Sequence, residues 1–207
     1  MSTSKITGVI LAGGKNQRMN GKVKALLPFG GEPVIVRQIH RMRPVCDHIV
    51  VVTRFPGLFA DVLDKSIHVI EDRIPGKGPL SGMHAAFTFF RRTTAWVVAC
   101  DMPFISAEAS RLMIKRKEQA DCDAVIPQSE AHLHPLHGIY DTGCGEVLTA
   151  LLKSGKYRMT DLLKELDWQA IDENVFRKHG IEYDFTFNMN TPEDYRLALA
   201  IANKESQ

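Results

Sequence analysis

Near the N-terminus, Leu11-Ala12-Gly13-Gly14-Lys15-Asn16-Gln17-Arg18-Met19 closes a short apolar run with paired glycines and basic side chains. Glycine there allows a tight turn, and without a Cβ the backbone N–H groups can come close to a ligand. Lys15, Arg18, Lys22 and Lys24 follow within a few residues. A triphosphate carries several negative charges, and a backbone cradle with cations beside it is the usual physical answer. The spacing matches neither G-x-x-x-x-G-K-[ST] nor G-x-G-x-x-G, so the common P-loop and dinucleotide readings are disfavoured. Taken alone, the glycines fit a plain strand-to-helix turn about equally well.

Asp101 supplies the other half of such chemistry. It stands in Cys100-Asp101-Met102-Pro103, after the apolar run Ala95 to Ala99. Pro103 biases Met102 away from helix and keeps the turn extended. A carboxylate fixed there suits Mg2+, which takes one or two carboxylates and completes its shell with phosphates and waters. A solvated or helix-capping Asp would be the commoner meaning of a lone aspartate. Its place on the same sheet edge as the glycine loop favours the metal.

Other polar groups carry less. His132, His134 and His137 lie close together, but no companion Cys or carboxylate pattern completes a transition-metal site. Arg111, Lys115, Arg116 and Lys117 read as a solvated helix face. Gly155-Lys156-Tyr157-Arg158 reads equally as a helix–helix turn or as a basic contact for a phosphate. The cysteines Cys46, Cys100, Cys122 and Cys144 form no C-x-x-C pair and read as free thiols. Phe87, Phe89 and Phe90 read as core and helix-packing residues.

The elements that would position these residues alternate along the chain. Thr7–Leu11, Ile49–Thr53, Ile67–Ile70, Ala95–Ala99 and Ala124–Pro127 read as strands. Their continuous apolar character suits strands covered on both faces. Helices are expected from Pro33 through Met42, from Pro79 through Phe90, after the cap Ser106, and from Thr191-Pro192-Glu193-Asp194 onward. Strand and helix in alternation imply an α/β fold with a mostly parallel sheet. Ligands of such sheets bind beyond the carboxyl ends of the strands, where Gly13-Gly14 and Asp101 both fall.

The 207 residues suit one domain with a real core. A formal net charge of +2 gives no strong pull toward nucleic acid or membrane. No apolar stretch is long enough to span a bilayer, and the short N-terminal run does not read as a signal peptide. A cytoplasmic protein is the expectation.

Six segments punctuate the chain: Leu11-Ala12-Gly13-Gly14 with Arg18-Met19, Lys24-Ala25-Leu26-Leu27, Gly78-Pro79-Leu80-Ser81-Gly82, Cys100-Asp101-Met102-Pro103, His134-Pro135 and Asn188-Met189-Asn190-Thr191-Pro192-Glu193. Together they resemble the signature of the molybdenum cofactor guanylyltransferases. They come in the family's order and span nearly the whole chain. L-A-G-G alone is shared by many sugar and terpenoid nucleotidyltransferases; the C-terminal Asn-x-Asn-Thr-Pro-Glu narrows the choice. The resemblance implies a three-layer, Rossmann-like sandwich of the nucleotide-diphospho-sugar transferase type. It implies a single domain over residues 1–207, nucleotide-binding in its N-terminal part and acceptor-binding in its C-terminal part. The implied reaction transfers GMP from GTP to the phosphate of molybdenum-molybdopterin, with Mg2+, and releases pyrophosphate.

By residue, the resemblance implies that Leu11, Ala12, Gly13, Gly14, Lys24, Asp72, Gly78, Pro79, Leu80 and Asp101 hold the nucleotide. It implies Asp101 as the metal ligand, with Arg18 and Lys24 as further catalytic charges. His134, Arg158, Asn188 and Asn190 would serve the acceptor. Transient contacts with proteins that supply and receive the cofactor would follow. The chain departs from the family at Val23, where an acid usually precedes the lysine, and at Asn20, where glycine is common. A braced lysine tolerates Val23, whereas a pocket shaped by that acid would change base selectivity. A cytidylyltransferase on the same cofactor, another NTP-dependent nucleotidyltransferase and a non-catalytic nucleotide sensor are the rival readings.

Overall fold

The computed structural model describes residues 5–14, 23–72, 74, 76–130 and 132–205. In chain order the strands are β1 (Ile6–Leu11), β2 (Pro28–Phe29), β3 (Glu32–Pro33), β4 (His48–Thr53), β5 (His68–Glu71), β6 (Thr94–Ala99), β7 (Ala124–Ser129), β8 (His132–Leu133), β9 (His137–Asp141) and β10 (Trp168–Asp172). The α-helices are α1 (Val34–Met42), α2 (Pro79–Phe89), α3 (Ala107–Ala120), α4 (Gly145–Lys153), α5 (Met159–Leu163), α6 (Glu173–Lys178) and α7 (Pro192–Glu205).

The main sheet runs β10-β7-β9-β6-β1-β4-β5, with β8 beside β7. β1 is parallel to both β4 and β6, β4 to β5, and β7 to β10. β9 runs against β6 and β7, which makes the sheet mixed but mostly parallel. Successive strand residues go to opposite apolar layers. Ile10, Val51, Trp96 and Val98 meet α1 and α3 through Ile35, Ile39, Met42 and Met113. Val9, Val50, Val52 and Val97 meet α2, α4 and α5 through Met83, Phe87, Leu148 and Leu162. Burial of both faces is why the strands read as unbroken apolar runs rather than alternating ones.

The helix starts follow their local chemistry. Pro79 opens α2, where a missing N–H costs nothing. Ser106 Oγ accepts from Ala109 N at 3.1 Å to cap α3, and Thr191 Oγ1 accepts from Asp194 N at 3.1 Å at the start of α7. α1 differs slightly from expectation. Pro33 has an extended ψ of 145° and precedes the helix instead of forming its first turn, because it also pairs in the small β2–β3 hairpin.

Some expectations need correction. Phe87 is buried, but Phe89 is 56% exposed. Lys117 leaves the solvated face of α3 and pairs with Asp141 at 3.4 Å. β9 and β10 had no clear sequence signal. β9 contains Gly138 and follows Pro135-Leu136, while β10 is a half-buried edge strand without a β-branched run.

Candidate functional site

Register places the site. Leu11 pairs with Val52 on one side and Ala99 on the other, and Val52 pairs with Ile70. The carboxyl ends of β1, β4, β5 and β6 therefore lie abreast, and the next residues of each strand share one edge. Gly13, Arg54, Asp72 and Asp101 all come from these strand ends, and together they line a cavity of about 420 Å³. Its size is that of a small-molecule site. Leu11, Gly14, Lys24, Gly78 and Pro79 complete much of its wall.

At one end Lys24 joins three distant segments. Its Nζ donates to Asp101 Oδ2 at 3.0 Å and to Asn190 Oδ1 at 3.0 Å. Both ends of the Lys24–Asp101 ion pair are largely buried, with side chains 13% and 17% exposed. Attraction there is stronger than in open water. Val23 packs against the core, so the bracing of the lysine comes from Asp101 and Asn190. Asp101 Oδ1 is buried and has no hydrogen-bond partner among the described residues. A buried anionic oxygen without a partner is costly, and a hard cation is the group that would satisfy it.

Asp72 is buried and fixed at both oxygens. Oδ2 accepts from Ser81 Oγ at 2.8 Å and Oδ1 from Ile74 N at 3.1 Å. A Cβ on Gly13 would lie 3.7 Å from Asp72 Oδ2, so the glycine turn and this carboxylate are close neighbours. Across the cavity Gly78 adopts φ 71° and ψ −162°, a region essentially reserved for glycine. A Cβ there would stand 3.1 Å from Tyr157 O. The same contact brings the turn before α5, with Arg158 next in sequence, against the loop bordering the cavity. Lys77 Nζ sits 4.3 Å from the centre of the Tyr157 ring and adds a second contact between them.

The expected residues divide into groups. Leu11, Gly13, Gly14, Lys24, Asp72, Gly78, Pro79 and Asp101 line one cavity, with Ala12 inside the same turn and Asn190 joined through Lys24. Leu80 turns its side chain fully into the core, which leaves only its backbone for a ligand. Asn188 is occupied with Thr186 O at 2.9 Å. His134 Nε2 bonds to Ser129 Oγ at 3.0 Å, and its ring stands edge-on to Tyr183 instead of lining the cavity. Burial, with His132 nearby, lowers the His134 pKa. Arg158 is exposed at the start of α5. Arg18 lies outside the described residues, as do Lys15, Asn20 and Lys22.

Sequence reasoning missed Arg54, which lines the cavity directly after β4. The signal existed, since the strand-end rule that selected Asp101 applies equally to the residue after Thr53. Cys100 also lines the cavity. Burial and the Asp101 charge push its thiol up to about 12, so it is no thiolate nucleophile at neutral pH. The three histidines differ in setting: His132 is exposed, His134 half-buried, and His137 wholly buried beside Trp96 and Phe185. Among the described residues no group of three or more His, Cys, Asp or Glu side chains could hold a metal ion. A metal held here would need ligands from its substrates, as Mg2+ commonly does.

The profile of the MobA-like NTP transferase domain matches residues 8–170. A protein of Pelotomaculum thermopropionicum, named probable molybdenum cofactor guanylyltransferase, is 37% identical over 95% of this chain and 93% of its own. The molybdenum cofactor guanylyltransferase of Desulfosudis oleivorans is 29% identical over 94% and 95%. Among solved structures, the molybdopterin-guanine dinucleotide biosynthesis protein A of Archaeoglobus fulgidus superposes with a TM-score of 0.83 at 28% identity, covering 96% of this chain and 99% of that one. A 4-diphosphocytidyl-2C-methyl-D-erythritol synthase of Anaerococcus prevotii shares the fold at TM-score 0.71 and 15% identity, covering 97% and 96%. With the loop, the strand-end carboxylates and these likenesses in agreement, the chain belongs to the MobA-like NTP transferase family.

Proposed function

We propose that this protein transfers GMP from GTP to the phosphate of molybdenum-molybdopterin, releasing pyrophosphate and forming the guanine dinucleotide cofactor. The observation that carries the reading is the Lys24 ammonium bonded to both Asp101 and Asn190 at the cavity end, beside a buried carboxylate oxygen with no hydrogen-bond partner among the described residues. The nearly full-length likeness to molybdenum cofactor guanylyltransferases supplies the substrates.

The acceptor is a phosphate oxygen, already ionised at neutral pH, so a strong general base is unnecessary. It attacks the α-phosphorus of GTP, the bond to the β-phosphate oxygen breaks, and pyrophosphate leaves with the electron pair. The chain's task is to align two anions and offset their charge. The Gly13-Gly14 backbone receives phosphate, Lys24 supplies fixed positive charge, and Asp101 would hold Mg2+. Bound Mg2+ would neutralise phosphate charge and favour departure of pyrophosphate. Arg18 would add a second cation. The N-terminal strands would thus serve the nucleotide, and Arg158, Asn188, Asn190 and His134, from the C-terminal part of the chain, would serve the acceptor. Among the described residues no helix is long and apolar enough to cross a membrane. We place the reaction in the cytoplasm, with transient contact to the proteins that supply and receive the cofactor.

Calorimetry with Mg2+ tests the nucleotide half. GTP should bind more tightly than CTP or ATP, and Lys24→Ala should weaken GTP binding. Preference for CTP would move the activity to cytidylyl transfer. Unchanged GTP affinity in a folded Lys24→Ala protein would make the lysine structural.

A further inference from the structure

The turn that presents Asp101 hangs from α1. Gln38 is fully buried on a helix whose other buried residues are Val34, Ile35, Ile39 and Met42. Its Nε2 donates to Ala99 O at 2.8 Å and to Met102 O at 2.9 Å. These carbonyls bracket Cys100 and Asp101 in sequence. Because both partners are acceptors, the amide nitrogen has to face them, and both of its protons are used. The cost falls on Oε1, which is buried without a hydrogen-bond partner among the described residues. An unpaired buried acceptor is destabilising. For packing alone, an apolar side chain would serve this position better. What Gln38 adds is a pair of donors aimed at one turn.

The surrounding bonds show how closely that turn is held. Arg37 Nε donates to Pro103 O at 3.2 Å, Met189 N to Asp101 O at 2.8 Å, and Cys100 N to Leu11 O at 3.2 Å. Gln38 adds a second donor to Ala99 O, which already accepts from Met102 N at 3.3 Å, and bonds Met102 O on the other side of the aspartate. We propose that Gln38 is a positioning residue for nucleotidyl transfer: through the 99–102 backbone it fixes the direction of the Asp101 carboxylate. This rests on the reading of Asp101 as the metal-holding group. Without those donors the turn can rotate its carbonyls toward other partners, and the carboxylate loses its aim. Asp72 is held by Ser81 and Ile74 rather than by this turn, so metal binding suffers more than metal-free nucleotide binding, which feels the change only through the Lys24 partner Asp101 and the Leu11 bond.

The test compares Gln38→Met, Gln38→Glu, Asp101→Asn and the core control Met113→Ala. Mn2+ affinity is measured in the presence of GTP by electron paramagnetic resonance, alongside thermal midpoints and metal-free GTP affinity. Gln38→Met should weaken Mn2+ binding roughly tenfold or more, the size seen when a metal ligand loses its supporting partner. Its metal-free GTP affinity should change by much less than its Mn2+ affinity. Met113→Ala should lower the midpoint and leave Mn2+ affinity unchanged. Gln38→Glu can donate at most one proton where Gln38 donates two, so its Mn2+ affinity should fall below the wild-type value. If Gln38→Met does not fold, Gln38→Glu decides, and wild-type Mn2+ affinity in it overturns the proposal. Wild-type Mn2+ affinity in folded Gln38→Met overturns it as well, provided Asp101→Asn has lost the metal. Unchanged Mn2+ affinity in Asp101→Asn would overturn the metal reading and the proposal together.

Discussion

Asp101 shows how one side chain can carry several constraints. One oxygen meets Lys24, the other is buried without a partner among the described residues, and the backbone on both sides is tied down. Replacing Asp101 with alanine should lower turnover by roughly 10²-fold or more, the loss typical of one preorganised charge-stabilising group. Steady-state kinetics on folded protein checks this; near-native turnover would remove Asp101 from the mechanism. His137 makes a different prediction, about stability. Burial depresses its pKa to about 3, and its Nε2 accepts from Ser106 N at 3.4 Å. The folded state therefore keeps the ring neutral while the unfolded chain protonates near its ordinary value. Below that value the unfolded state binds more protons, so this contribution is complete at neutral pH and declines as pH falls toward the folded pKa. By pH 5, which lies about 1.5 pH units below the ordinary histidine value, the loss is about 2 kcal/mol at 1.36 kcal/mol per unit. Denaturant melts at neutral pH and pH 5 measure it, and His137→Asn should remove most of that slope. An unchanged slope would place the acid sensitivity elsewhere.

At the scale of elements, strand ends and helix starts build the site. Gly78 connects the loop after β5 to α2 in a conformation only glycine tolerates. Gly78→Ala should cost about 1–3 kcal/mol from backbone strain and displace the neighbouring Tyr157 turn. Weakened GTP binding together with a lower thermal midpoint is the expected result; unchanged values in both would mean the loop relaxes freely. Much of this level was legible in the sequence. Val50, Val51 and Val52 announced a strand buried on both faces, and Ser106 and Thr191 announced their helices. β9 was not legible, because Gly138 and the preceding Pro135 are turn signals, and only its neighbours make it a strand. Gln38 was hidden for a related reason. Local pattern gives a polar residue on an amphipathic helix, and only tertiary contact reveals two carbonyls waiting for it.

For the whole molecule, topology gathers residues far apart in sequence. Lys24, Asp72, Asp101 and Asn190 meet because parallel strands bring their carboxyl ends to one edge and the segment before α7 returns to it. The glycine loop and Asp101 could be found from residue type and position after a strand. Asn188 and Asn190 needed the family resemblance, since no local pattern ties them to the edge; Asp72 was named through the resemblance too, although its place just after β5 also put it there. Arg54, a cavity-lining cation directly after β4, was singled out by neither route, although its strand-end position was there to read. The most direct measurement of the central claim is pyrophosphate release with Mg2+ and molybdenum-loaded pterin, supplied in turn with GTP, CTP or ATP. Release with GTP, and little with the other two, is the predicted result. Release with CTP instead would contradict the guanylyl assignment, and no release with any of the three would contradict nucleotidyl transfer to this acceptor.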